Sequence, residues 1–583
     1  MKALKNILAI SAAAVMMCGC QGDLLETSPY GSVAAGNMWS SENLADKGVT
    51  AIYSTLFKSY VGMQQYQMDC FGVSADCRDQ DYPIMVNKIT TQNSMFSSYW
   101  SQHYSGISRA NDAIAHLPEV NMGDTKKARY MAEAKVMRAY FYYKLNIMYK
   151  GVPIYLEPVE ASECTKGQSS EAEVWQAIIT DLTDAINEPN LPNIYAQGSS
   201  DYGRATKGLA YALRGKAYLY QKDYAKAAAD FEAVGNCGFS LFQGEYKQLF
   251  KEANEQSPEM IFSVQCIGMP GLGNDISFRY GTRSSFGSCW NTFLASTDFV
   301  ETYENADGSE FDWDDYIPGY SEMEPAARSV YFFRDGLTEK EIEELAKTGA
   351  DMSKYLPNGN EARIKTAYAN RDPRLAATII TPYAEYNGAN NSNEFTYTLR
   401  WPYRGYDTAA PFDLKTDTNN RFYYLFRKFV AEGASEIPNR AYSPIDIPLI
   451  RYADILLNLA ECYNEMDQMD KAVECVNQVR GRAGAALLNS NAPTTVTGKD
   501  NLRERIRNER RWEFNGEGVN FFDEMRWGTW KESKFFEGSG LKQIWGEHQY
   551  RYTWSGDQVY TWPAPWSERQ LNENLTLADG WRD

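Results

Sequence analysis

The sequence predicts a mainly α protein, a helical-repeat scaffold interrupted by one large loop-rich insertion. Gly215, Tyr218, Ala227 and Phe231 in one stretch, and Ala460, Tyr463, Ala472 and Val476 in another, share the same offsets of three, twelve and sixteen residues. This is tetratricopeptide-like spacing: a small residue and an aromatic on one helix, then a small and a bulky residue on the next. Small residues let two antiparallel helices approach closely. One such unit cannot bury its own apolar face, so further helices have to stack on it. The second observation is the stretch between the units. Residues 265–439 are rich in Gly, Asn, Asp and Tyr and show only fragments of alternation, which predicts a loop-dominated segment with a few strands and short helices.

The chain opens with Lys2 and Lys5, then an apolar run from Ile7 to Met17 that ends at Cys18-Gly19-Cys20. The run is about half the roughly 20 residues a membrane-spanning helix needs, so it reads as the core of a secretory signal. A small residue directly before a cysteine resembles a bacterial lipobox. Gly19 favours Cys20 over Cys18 as the first mature, acylated residue. The expected organisation is a signal peptide at 1–19, a lipidated tether at 20–40, a helical scaffold with one repeat unit at 41–264, the insertion at 265–439, and a C-terminal region with the second unit at 440–583.

Apolar residues on one face predict helices over Glu42–Leu56, from about Ser97 with Trp100, Tyr104, Ile107 and Asn111 as its stripe, over Lys126–Tyr149, and over Glu173–Asn187. Gly151 and Pro153 stop the third of these. Trp100 is expected in the core. The two repeat units lie too far apart for a continuous array, so the helices at 126–149 and 173–187 have to complete the stack.

Composition excludes several functions. With 58 basic against 76 acidic residues the net charge is −18, and loss of Lys2 and Lys5 makes the remainder more acidic still. Such a body does not suit nucleic acid or anionic lipid. Three histidines among 583 residues leave few general bases or metal ligands. The eight cysteines after Cys20 are scattered and fit neither a small disulfide scaffold nor a zinc site; Cys70 and Cys77 could pair in an exported chain, but spacing alone does not say so. No metal or cofactor is expected. The excess is aromatic, with 40 Tyr, 26 Phe and 14 Trp, residues that fill cores and also stack on sugar faces.

Motifs in a fixed order narrow the class. Asp23-Leu24-Leu25-Glu26 with Pro29 follows the lipobox. Ala134 to Tyr140 with Gly151-Val152-Pro153, Gly203 to Gly208, and Arg371-Asp372-Pro373-Arg374-Leu375 come next. Then come Arg451-Tyr452-Ala453-Asp454 with Ala460-Glu461, Asn477 to Arg482, Glu509 to Phe514 with Gly518 to Trp527, Pro563-Ala564-Pro565, and Gly580-Trp581. Along essentially its whole length the chain resembles the SusD/RagB family of outer-membrane nutrient-binding lipoproteins; Asp454 stands where that family usually has glutamate. The charged run from Glu509 to Arg526 reads as ion pairs that lock neighbouring elements rather than an acid/base cluster. Arg371 to Leu375 reads as a cap and salt-bridge turn.

The resemblance implies a non-enzymatic cell-surface protein, lipid-anchored in the outer membrane, that captures oligosaccharides. It also implies a SusC-like TonB-dependent transporter as partner, over whose mouth the protein closes as a lid. Peptide capture of the RagB kind is the alternative; a surface glycoside hydrolase ranks lower, since no local motif proposes a carboxylate pair. A shallow site from two loops is implied. In the first, Asp76, Arg78, Asp81 and Tyr82 are expected to supply polar groups, with Asp79 beside them. In the second, Phe278, Tyr280, Phe286 and Trp290 are expected to supply ring faces flanked by Arg279 and Arg283. Sugars need a flat ring face with planar polar groups beside it.

Overall fold

The computed structural model describes residues 38–78, 82–418 and 420–583. The lipobox, Cys20 included, lies outside the described residues. Four helices lead the chain: α1 (Glu42–Tyr53), α2 (Ser94–His116), α3 (Asp124–Tyr149) and α4 (Glu171–Asn187). Each begins at or within three residues of its sequence expectation. Asn93 caps α2 by accepting from the Met95 amide, and Ser170 with Glu173 forms a reciprocal capping box on α4. The repeat units follow as α5 (Lys207–Tyr220) with α6 (Tyr224–Asn236), and α7 (Tyr452–Glu465) with α8 (Met469–Ala483). Among the described residues, no helix is long and apolar enough to cross a membrane.

The two units are neighbours in space. Helix α6 packs directly on α7, and α3, α4 and α5 continue the stack on the other side, so the expected scaffold is a tetratricopeptide-like layer of helix pairs. Close approach depends on glycine at two places. A Cβ on Gly215 would lie 2.6 Å from the Phe231 ring, and one on Gly106 would lie 2.5 Å from the Phe141 ring. Arg138 ties the layers together, with Nε and Nη2 donating to both Asp181 oxygens and Nη1 to Asn111.

The insertion leaves the scaffold after strand β2 (Met260–Val264) and returns at β4 (Ile447–Arg451), and these two strands pair antiparallel. Between them lie short helices and strands, as expected, but the segment is more than loops. It has its own apolar core, in which Tyr280 stacks on Phe426 at 4.2 Å, with Trp512 and Trp545 supplied from the C-terminal region.

The charged C-terminal run does lock neighbouring elements through ion pairs, and the centre of the network lies inside the fold. Helix α9 (Lys499–Glu513) carries Glu509, Arg510 and Glu513, and all three are fully buried rather than exposed. Arg374, 0% exposed, bonds Asp372 and Glu509 and lies 3.5 Å from Glu513. Arg480 reaches Glu509 and Glu304, Arg482 reaches Glu259, and Arg451 reaches Glu259, Glu513 and Glu517. The Arg371–Leu375 turn is the cap and salt-bridge element expected of it, since Asp372 caps the helix Pro373–Thr378. Its partners join the insertion to the scaffold through a buried ion network.

Candidate functional site

A three-residue ladder brings the two expected loops together. Strand β1 (Ala75–Cys77) pairs antiparallel with β3 (Phe293–Ala295), more than 200 residues downstream, and the Arg78 amide continues the ladder to the Thr292 carbonyl at 2.9 Å. The first loop therefore leaves the sheet beside the end of the second. Across this edge Arg78 Nη1 donates to the Trp290 carbonyl at 2.6 Å.

Trp290 is held outward. Gly287, Ser288 and Asn291 all take left-handed backbone conformations, which turn the chain sharply on both sides of it. Trp290 is 39% exposed, and its ring centroid lies 4.7 Å from the Phe278 ring at an angle of 50°. Cations surround the pair. The Arg283 guanidinium lies 6.0 Å from the Trp290 ring, and Arg440 and Arg279 lie 4.6 and 5.5 Å from Phe278. Asp417 pairs with Arg78 at 3.0 Å and also with Arg283, and Asp275 pairs with Arg279 at 3.0 Å. The Asn291 side chain accepts from the Asp417 amide and fixes that carboxylate's backbone.

Not every expected residue belongs to this surface. Asp76 is 1% exposed and accepts from Lys534 Nζ at 2.9 Å and from the Tyr552 hydroxyl. Its carboxylate neutralises a buried ammonium. Tyr280 is 0% exposed, with its hydroxyl turned towards the Tyr66 and Gly516 carbonyls. These two are removed from the platform. Tyr82 is half-buried, edge-on to Phe71 at 5.0 Å, and Phe286 packs part-buried on the insertion core. Asp79 and Asp81 lie outside the described residues. Arg78, Phe278, Arg283 and Trp290 are brought together as expected.

Asp417 and Arg440 were missed. They sit far downstream of the Trp290 loop, in stretches with no motif, and no sequence signal points to them. The nearby Cys289 thiol is pushed up to about 12 by burial, which leaves it a poor nucleophile at neutral pH. Among the described residues no group of His, Cys, Asp and Glu is arranged to hold a metal ion. The platform can offer two ring faces with guanidinium donors and paired carboxylates around them, the geometry that takes up planar, hydroxyl-rich surfaces.

Fold and site together define a helical-repeat protein that carries an exposed aromatic platform. The chain belongs to the SusD family: residues 258–581 match that family, and residues 23–219 match a second one described as starch-binding associating with outer membrane. It is similar to SusD-like protein P38 of Formosa agariphila, with 26% identity over 90% of this chain and 92% of that one. Among solved structures it resembles a SusD-like carbohydrate-binding protein from Bacteroides fragilis, with a TM-score of 0.70, 24% identity, and coverage of 93% of this chain and 100% of the other. It also resembles a laminarin-binding SusD-like protein, with a TM-score of 0.62, 22% identity, and coverage of 93% and 100%. At these identities the structural likeness is one of fold.

Proposed function

We propose that the protein captures oligosaccharides at the outer-membrane surface, without chemical turnover, and delivers them to a SusC-like TonB-dependent transporter. The observation that carries the reading is Trp290, 39% exposed and backed by Phe278 within a ring of arginines. The outer-membrane description of the matched family and the carbohydrate- and laminarin-binding neighbours support the ligand class and the location. The absence of chemistry is supported by the state of the two carboxylates beside the rings. Asp417 and Asp275 are each held in an ion pair with arginine.

Trp290→Ala tests the site by calorimetry against a glycan panel and a peptide pool. Losing one stacking ring should weaken glycan binding by about tenfold or less, on the order of 1 kcal/mol. Unchanged glycan binding would move the site away from this loop, and binding only to peptides would replace the ligand class. Anchoring is tested separately by fractionation. Cys20→Ala should leave the membrane fraction, whereas Cys18→Ala should stay, because two or more acyl chains hold a protein on a bilayer and their removal releases it. Co-purification from detergent with a β-barrel partner tests the transporter, and absence of one would remove that part of the proposal.

A further inference from the structure

A second concave surface shares no residue with the Trp290 platform. It is a cleft of about 730 Å³ between α2, the stretch 153–165 and the C-terminal helix α10 (Trp566–Leu571). Its wall is aromatic. Trp100 and Tyr104 lie 5.1 Å apart, and Tyr155 stands 6.4 Å from Tyr104. These rings are fixed in place. The Tyr104 hydroxyl donates to the Pro153 carbonyl at 2.6 Å, and the Tyr155 carbonyl accepts from both Asn111 and Tyr142. The Tyr104 hydroxyl is thus spent on the backbone. Val159, 40% exposed, and Leu571, 82% exposed, form an apolar lip.

The charged residues that line this cleft are acidic. Glu157 and Glu568 line it, and among the described residues no lysine or arginine lines it, Lys166 standing at the rim. The Glu568 carboxyl is half-buried and has no hydrogen-bond or ion-pair partner among the described residues; burial raises its pKa, and it lies close enough to act on Tyr104, Tyr149 and Cys164. A carboxylate without a cation beside ring faces is half of a recognition site, because both attract positive charge. Tyr155 already displays the preference: Lys166 Nζ, bonded to the Ile154 carbonyl, lies 5.0 Å from that ring on the rim of the cleft.

We propose that this cleft binds an organic cation, an ammonium or guanidinium group on an apolar body, with the charge on Glu568 and the body against Trp100, Tyr104 and Tyr155. The site is separate from glycan capture and stands whether or not that reading holds.

Phenethylammonium is the probe, titrated by calorimetry into the full-length protein, with neutral 2-phenylethanol as the matched control. The cation should bind saturably and roughly tenfold more tightly than the alcohol. Glu568→Gln should bring the cation down to the affinity of the alcohol and leave the alcohol unchanged, while Trp290→Ala should leave both unchanged. Equal binding of the two probes, cation binding that survives Glu568→Gln, absence of cation binding, or displacement of the cation by an oligosaccharide would each overturn the proposal.

Discussion

Arg374→Ala is expected to destabilise the protein by about 3–5 kcal/mol, the penalty for removing one member of a buried ion cluster. The guanidinium is fully buried and, among the described residues, is the only basic group bonded to Asp372. It also bonds Glu509 and faces Glu513. Alanine would leave Asp372 charged in a dry interior, with Arg480 holding Glu509 alone. Denaturant unfolding reads the loss directly, and a change below about 1 kcal/mol would mean that the cluster behaves as a surface network. The pH profile supplies a second reading. Burial pushes the Glu513 carboxyl up, but Arg482, Arg451 and Arg374 outweigh this and bring it from 4.5 to about 2. A depressed carboxyl stabilises the fold above its unfolded value, and that stability is lost as pH falls from about 4.5 towards 2. With one of the three arginines gone, the folded value rises, so less of this stability is present at neutral pH and its loss is complete at a higher pH.

The second large effect is expected at Gly215→Leu. The position faces Phe231, the fourth member of its own repeat unit, and even a Cβ would meet that ring at 2.6 Å. Phe231 is 1% exposed, inside the core of the helical layer. Helices α5 and α6 would have to separate, and the contact of α6 with α7 would move with them. Overpacking of this kind costs on the order of 3 kcal/mol. A thermal midpoint near that of the unaltered protein would contradict the packing described for the repeat.

These two sites differ in how far the sequence discloses them. Gly215 was legible, because equal offsets in two distant stretches specify a packing geometry that each stretch satisfies locally. The buried state of Glu509, Arg510 and Glu513 was not. A run of alternating charges on a helix is normally a solvated face, and only the convergence of α7, α8, α9 and the insertion encloses this one.

The platform shows the same division. The pairing of its two loops depends on the three-residue ladder β1–β3, too short to leave an alternating pattern, and only the family resemblance pointed to it. Strand β1 is buried along its whole length, so nothing in Ala75-Asp76-Cys77 marks Asp76 as interior. Tyr280 did carry a signal. It lies four residues after Ile276 on the short helix Ile276–Tyr280, and both are buried while Phe278 and Arg279 turn outward. Helical spacing in that stretch separates the core ring from the exposed one.

A crystal structure of the protein with a bound oligosaccharide, the glycan that the panel selects, tests ligand capture most directly. The expected result is a sugar ring stacked on the exposed face of Trp290, with hydroxyls accepting from Arg78, Arg283 or Arg440 and the glycosidic bonds intact. A sugar held away from the Trp290 loop, or a glycan cleaved in the crystal, would contradict it.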